Sequence, residues 1–238
     1  MNPQNQQKNI LLPSLNDSRF AELLGMLAGD GHIGPHYIGL TLNAKADGTY
    51  AFFARNIMEE LFSGATVTIH YKRRYNTHYI QLSSTRAVQF IKQIWPQRHS
   101  IPAHILASEE LKIHFVRGLI DTEGSIGFKV FHGRDGMHIY RQLTFTNFNK
   151  PYVKIVYDVL KKLGFSPTSP ARNIYISNKR DIDKYFAVVD SHNPKLREAH
   201  SVENHETYLA YRAEKSTIAW LFDSFGKVLR SGGVAEWL

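Results

Sequence analysis

Cysteine is absent from this chain of 238 residues. That excludes disulfides and a thiolate zinc site. No apolar run is long enough to span a membrane, so no membrane partner is expected. The opening MNPQNQQKNILLP is polar and carries neither a signal-peptide nor an Arg/Ser-rich transit pattern, which makes an intracellular protein the default. His192, His200 and His205 lack a metal-ligating spacing. His205-Glu206 is followed by Leu209 where H-E-x-x-H needs its second histidine, and solvated histidines are expected. Gly29-Asp30-Gly31-His32-Ile33-Gly34 matches G-x-G-x-x-G. A dinucleotide fingerprint needs a strand before it and a helix after it, and here the order is reversed. No small-molecule cofactor is expected.

What is present is positive charge and a repeat. The net charge is +8 and the isoelectric point about 9.5. A basic chain favours a polyanionic partner, nucleic acid first, although solubility alone also explains a surplus of lysine and arginine. A hydrophobic fraction of 43% suffices for a packed core. The stretch FVRGLIDTEGSIGF, Phe115 to Phe128, reads as an apolar helix that stops at an acid and a glycine. Ser108 can cap its start, and Glu109 and Glu110 suit its first turn. Gly124 fits a left-handed residue just past the last turn. Glu123 is out of place, because a carboxylate at a helix C-terminus faces the negative end of the dipole. The stretch FAELLGMLAGDGHIG, Phe20 to Gly34, repeats the pattern at a constant offset. Gly25 falls on Gly118, Leu27 on Ile120, Asp30 on Glu123 and Gly31 on Gly124. Two such helices imply two halves related by a pseudo-twofold axis. Gly25 and Gly29, and nearly so Gly118 and Thr122, put small residues four apart, which lets two helices approach closely. Their terminal acids would then meet, and two nearby carboxylates call for a cation. Oxygen ligands suit Mg²⁺, with Mn²⁺ as a substitute. Ca²⁺, being looser in coordination, is expected to support binding without cleavage.

LLGMLAGDG (Leu23 to Gly31) and VRGLIDTEG (Val116 to Gly124) resemble the nine-residue signature of the LAGLIDADG homing endonucleases. The pair of motifs is similar to the monomeric, two-motif branch, and the likeness runs from about Asp17 to about His200. Ala28 replaces the acid often found at the sixth motif position, which Asp121 keeps in the second copy. Thr122 stands where a smaller residue is usual. The resemblance implies an α+β fold of two αββαββα halves packed along the motif helices, with two sheets forming a saddle on double-stranded DNA. It implies a monomer that hydrolyses both strands at a long asymmetric site, with divalent metal, and leaves short 3′ overhangs. An RNA-splicing maturase and a non-cleaving DNA-binding regulator on the same fold are the alternatives. No splicing-domain sequence surrounds the motifs, so a free-standing intron-type protein is favoured.

Read in order, residues 1–16 form an N-terminal arm, 17–99 the first half, 100–107 a linker, 108–200 the second half and 201–238 a C-terminal helix and tail. In each half two strands follow the motif helix, then a helix, strand material and a third helix. The resemblance assigns metal to Asp30 and Glu123 and to the main-chain carbonyls of Gly29 and Thr122. By position in the family it places Asn43 and Asn147 on the second strand of each half, where an amide could orient water. It places Arg98 and Lys195 after each half's third helix, where a cation could stabilise phosphorane-like charge. Turn and surface roles explain these four equally well. HYKRRY, His70 to Tyr75, reads as three cations on a strand. Such a run is usually a solvated face. In the implied fold it faces the major groove, so Lys72, Arg73, Arg74 and Gln81 in the first half, and Lys129, Arg134, Arg141, Gln142, Thr144 and Arg172 in the second, become DNA-contact candidates.

Overall fold

The computed structural model describes residues 10–134, 136–210 and 213. Helix α1 (Ser18–Asp30) starts at Asp17, whose carboxylate accepts from the Arg19 amide at 2.8 Å. It leads into β1 (Gly31–Ile33) and β2 (Tyr37–Asn43), then α2 (Gly48–Leu61), β3 (Thr66–Lys72), β4 (Thr77–Ser83) and α3 (Thr85–Ile94). The short α4 (Ala103–Ala107) occupies the segment expected to be linker. The second half repeats the plan with α5 (Glu109–Glu123), β5 (Gly124–Gly133), β6 (Gly136–Thr146), α6 (Lys150–Lys162), β7 (Asn173–Ile176), α7 (Lys179–Val188) and α8 (Pro194–Ser201). Ser108 caps α5 as its sequence suggests, its hydroxyl accepting from the Leu111 amide. No helix among the described residues is long and apolar enough to cross a membrane.

The first sheet runs β1-β2-β4-β3 and the second β5-β6-β7, all pairs antiparallel. The expected fourth strand of the second half shrinks to a single bridge between Thr168 and Tyr175. Pro167 and Pro170 bracket that bridge, and a proline has no amide to give a ladder. Alternation sorts each strand. Ile38, Leu40, Leu42, Ile80 and Leu82 face the helices in one sheet, and Ile126, Leu143, Phe145, Ile174 and Ile176 do so in the other; all are buried. The opposite face of each sheet is left open.

Between the halves, α1 and α5 run side by side in the same direction. A Cβ built on Gly25 would lie 2.1 Å from the Phe115 carbonyl oxygen, and one on Gly118 would lie 2.1 Å from that of Glu22. Both motif glycines are therefore needed for backbone approach. Gly124, expected to be left-handed, is not, and Gly31 behaves like it. Gly31 has φ −93° and Gly124 φ −86°, so neither is left-handed. Each passes straight from helix to strand. A side chain there would press on its own helix, 2.4 Å from the Leu27 carbonyl oxygen or 2.3 Å from that of Ile120.

Residues beyond the second half are only partly described. Residues 205–210 are helical, and the rest of the expected C-terminal helix and the tail lie outside the described residues, apart from Ala213. At the other end, Ile10 is buried and the Leu11 amide donates to Ser63 at 2.9 Å, so this part of the expected arm docks on the first half.

Candidate active site

Asp30 and Glu123 are the last residues of α1 and α5. The helices stay close to their ends: a Cβ on Gly29 would lie 2.2 Å from Thr122 Oγ1 and 3.1 Å from Glu123 Cγ. Thr122 turns its hydroxyl back to the carbonyls of Gly118 and Leu119, each at 3.0 Å, so it fits where a smaller residue is usual. The two acids sit together at the junction of the halves, where each chain turns from motif helix into sheet. Burial, then the neighbouring Glu123 and Asp47 charges, push the Asp30 carboxyl up to about 7, against the pull of Lys195. Glu123 is raised too, by burial, with Lys195 opposing. A carboxyl that holds its proton for want of a counter-charge fits a divalent cation. The carboxylates and the carbonyls of Gly29 and Thr122 are hard oxygen donors, the set that Mg²⁺, Mn²⁺ and Ca²⁺ take.

The two basic candidates are not equivalent. Lys195, in the first turn of α8, pairs with Asp47 at 3.1 Å. Arg98 is turned inward. Its guanidinium donates to the Leu27 carbonyl and, at 3.4 Å, to that of Gly31, and lies 4.2 Å over the Trp95 ring. It thus braces the C-terminal end of α1, adding a charged donor to the Leu27 carbonyl, which already accepts from the Gly31 amide. Asn43 is the last residue of β2, as expected, whereas Asn147 lies just past the end of β6; both have side-chain oxygens engaged in turns. Asn43 accepts from the amides of Lys45 and Ala46, at 2.9 and 3.0 Å, and Asn147 accepts from that of Asn149 at 2.8 Å.

Behind the acids lies a polar network that the sequence does not announce. Glu22 and Asp121 are buried on α1 and α5. Asp121 accepts from Ser191 Oγ at 2.5 Å and from the His192 amide at 2.8 Å, yet burial still lifts it to about 7. Glu22 holds His192 Nδ1 at 2.6 Å and Arg117 at 3.3 Å. His192 is therefore paired, not solvated as expected, and the Glu22 bond raises it above the usual histidine range. His200 likewise pairs with Asp183, at 2.9 Å. Glu22, Asp121 and His192 bring ligand-type atoms within 4.8 Å of one another. With Arg117 supplying the positive charge, the cluster is satisfied internally.

The arrangement of helices and two antiparallel sheets has counterparts among solved structures. I-DmoI in complex with DNA and Ca aligns at a TM-score of 0.52 with 20% identity, over 79% of this chain and 98% of that one. The LAGLIDADG homing endonuclease I-LtrWI bound to target DNA aligns at 0.52 with 9% identity, over 84% and 92%. The LAGLIDADG meganuclease I-AabMI bound to uncleaved DNA aligns at 0.50 with 12% identity, over 76% and 89%. The chain has the homing-endonuclease fold. No family model and no curated protein matches its sequence.

In the homing-endonuclease fold of this chain, the open faces of the two sheets carry part of the expected contact set. Lys72, Gln81, Lys129, Gln142 and Thr144 alternate onto those faces. Lys72 lies 3.9 Å over the Tyr79 ring, Gln81 donates to Ser83 at 2.9 Å, and Gln142 is nearly buried and donates to Ser177 at 2.9 Å. Arg73 and Arg74 are not on a strand. They form a 3₁₀ turn (Arg73–Tyr75) that Asn76 closes in a left-handed conformation at φ 48°, because HYKRRYNT is too short to continue as strand and also reverse. Arg134 is likewise in a turn, and Arg172, just before β7, lies 4.3 Å over Phe148. Arg141 departs furthest from expectation. It shares parity with Leu143 and Phe145, so it points to the helix side and donates to the carbonyls of His200, at 2.8 Å, and Val202. It latches α8 to the second sheet. His32 and Tyr79, stacked on the first open face and joined at 2.7 Å, were not singled out by the sequence.

Proposed function

We propose that this chain is a site-specific endonuclease that hydrolyses both strands of a long, asymmetric double-stranded DNA site with a divalent metal. One observation carries the reading. Two acids from two helices, in positions a helix dipole disfavours, converge beside a lysine at the centre of two open sheets. I-DmoI and I-LtrWI, which share the fold, are seen with DNA. Asp30, Glu123 and the carbonyls of Gly29 and Thr122 would hold the metal. The chemistry such a cation would supply there is activation of a water nucleophile and neutralisation of the leaving oxygen. Burial and Glu123 raise the Asp30 carboxyl, and positive charge held there would favour its ionised form. Lys195 supplies positive charge at the same place and is the group suited to stabilising extra negative charge on phosphorus. Arg98, committed to the end of α1, would hold Asp30 in place by closing the helix below it.

Lys72, Gln81, Lys129 and Thr144, with the hairpin-tip arginines Arg73 and Arg74, would read the two half-sites. Because the two sets differ, the site is asymmetric. If each sheet follows about one groove turn, ~10 bp, the whole site spans roughly 20 bp. Since the acids meet at the centre, the cuts flank the central base pairs and leave short 3′ overhangs. A non-cleaving regulator has no use for two desolvated acids.

The deciding experiment is digestion of a plasmid library of random sites with Mg²⁺, followed by sequencing of the ends. A single asymmetric site with staggered cuts supports the proposal. Intact plasmid in both Mg²⁺ and Mn²⁺, at concentrations where the protein binds DNA, refutes it.

A further inference from the structure

Two local rules are broken at one contact. Asp47 stands at the N-cap of α2, the position where an aspartate normally accepts from the helix's free amides, but its side chain makes no capping bond. Lys195 stands in the first turn of α8, where the positive end of the dipole disfavours a cation. The two residues satisfy each other across the molecule at 3.1 Å. Asp47 is nearly buried, and its Oδ1 also accepts from Asn193 Nδ2 at 2.8 Å. Asn193 is buried as well. It caps α8 by accepting from the Lys195 amide at 3.0 Å, and its Nδ2 donates a second time, to the Asp121 carbonyl at 2.8 Å, in the last turn of α5. The start of α2, the start of α8 and the end of α5 are thereby tied at one point.

Nothing similar serves the other basic residue. The N-cap of α6, which follows the second strand as α2 does in the first half, is the uncharged Asn149. Arg98 is held by carbonyls instead. The contact is thus a one-sided device. It takes an acid from the first half and a lysine from the second.

We propose that Asp47 is a positioning residue for the cleavage reaction, holding the Lys195 ammonium toward Asp30 and Glu123. This rests on the endonuclease reading. Its dependence on Lys195 separates it from a direct effect of the Asp47 charge. A field effect of Asp47 persists when the lysine is gone, whereas a positioning effect does not.

The test is Asp47→Asn, which keeps an oxygen for Asn193 and removes the charge. Single-turnover cleavage of the cognate site is expected to fall on the order of 10- to 100-fold, the scale set by misplacing a catalytic group by about an ångström. DNA affinity in Ca²⁺ should change less than about threefold, since no DNA-facing group is touched. Combined with Lys195→Met, Asp47→Asn should add no further loss, because a residue that acts through another has nothing left to do once that residue is gone. A rate equal to or above that of the unmodified protein overturns the proposal. So does a double variant whose losses multiply, the result for a merely structural role. A second readout needs no cleavage: the Lys195 Nζ resonance, resolved by NMR at low temperature, should be lost or broadened in Asp47→Asn. If the unmodified protein cuts nothing yet that resonance is lost, the endonuclease reading falls and the pairing stands. If the resonance is unchanged, the positioning role falls whatever the protein cuts.

Discussion

Asp30 and Glu123 illustrate how one residue type takes different states by placement. Both end a helix and burial raises both, but only Asp30 is raised further by neighbouring acids, Glu123 and Asp47. Asp30→Asn or Glu123→Gln should abolish double-strand cleavage with DNA affinity in Ca²⁺ preserved. Full cleavage by either variant in Mg²⁺ refutes their role. The same substitutions should raise the melting temperature of the metal-free protein at pH 8, by about 2–4 °C, because each removes a carboxylate that is costly to ionise. His192 gives the pH counterpart. Its partner Glu22 raises the ring's pKa in the folded state, so the proton it holds lends stability that is fully present below the ordinary histidine value of 6.5. That stability is lost as pH rises through the folded value. The unmodified protein should therefore exceed His192→Gln by about 1 kcal/mol at pH 6, the lower end for a charged hydrogen bond because the ring is half exposed. Urea melts should show the difference narrowing as pH rises above the ordinary histidine value. A gap independent of pH would mean the ring is not protonated in the folded protein.

At the scale of elements, α1 packs tightly against α5, and that contact rests on glycine. Gly25→Ala and Gly118→Ala each drive a methyl group into the other helix's backbone, which has no rotamer to yield. Each should cost about 3 kcal/mol or more, in the range of severe overpacking. The damage should also reach the site, since the same helices carry the acids. Urea unfolding and the cleavage rate measure the two effects, and a variant with normal values in both would contradict the packing described. Gly29 differs because its neighbour is a side chain, Thr122. Gly29→Ala should therefore be partly rescued by Thr122→Ala, whereas no single side-chain truncation should rescue Gly25→Ala. The sheets add a second lesson. Arg141 looked like a member of the basic strand surface, but parity with Leu143 and Phe145 turned it to α8. One residue's shift in register decides between a DNA contact and a latch.

For the whole molecule, the positive charge and the two open faces predict salt dependence. DNA affinity in Ca²⁺ should fall steeply between 50 and 200 mM salt, on the order of a thousandfold if about six phosphates are contacted. Arg73→Ala or Arg74→Ala should relax preference in one half-site only, as read by footprinting. A palindromic footprint occupied by two chains would contradict the internal twofold. Most of this plan was legible in the sequence because it is written in short range. The acid, the glycine and the apolar spacing of each motif lie within nine residues, and their repetition at a constant offset announces two halves. Helix caps such as Ser108 and strands such as Leu40–Leu42 follow from local patterns for the same reason. What the tertiary structure alone decided is whatever depends on residues far apart in the chain. Asp47 and Lys195, or Glu22 and His192, carry no mutual signal, because a pair across the pseudo-twofold has no fixed spacing. Arg98 and Lys195 occupy similar places in the repeat yet differ in use, since one finds backbone carbonyls where α1 passes into β1 and the other a buried acid. Gly31 and Gly124 were required for reasons of approach and not of left-handed backbone, a distinction only coordinates reveal. Spacing along a chain determines which face of an element a residue shares; which partner meets that face is decided by how the elements close on one another.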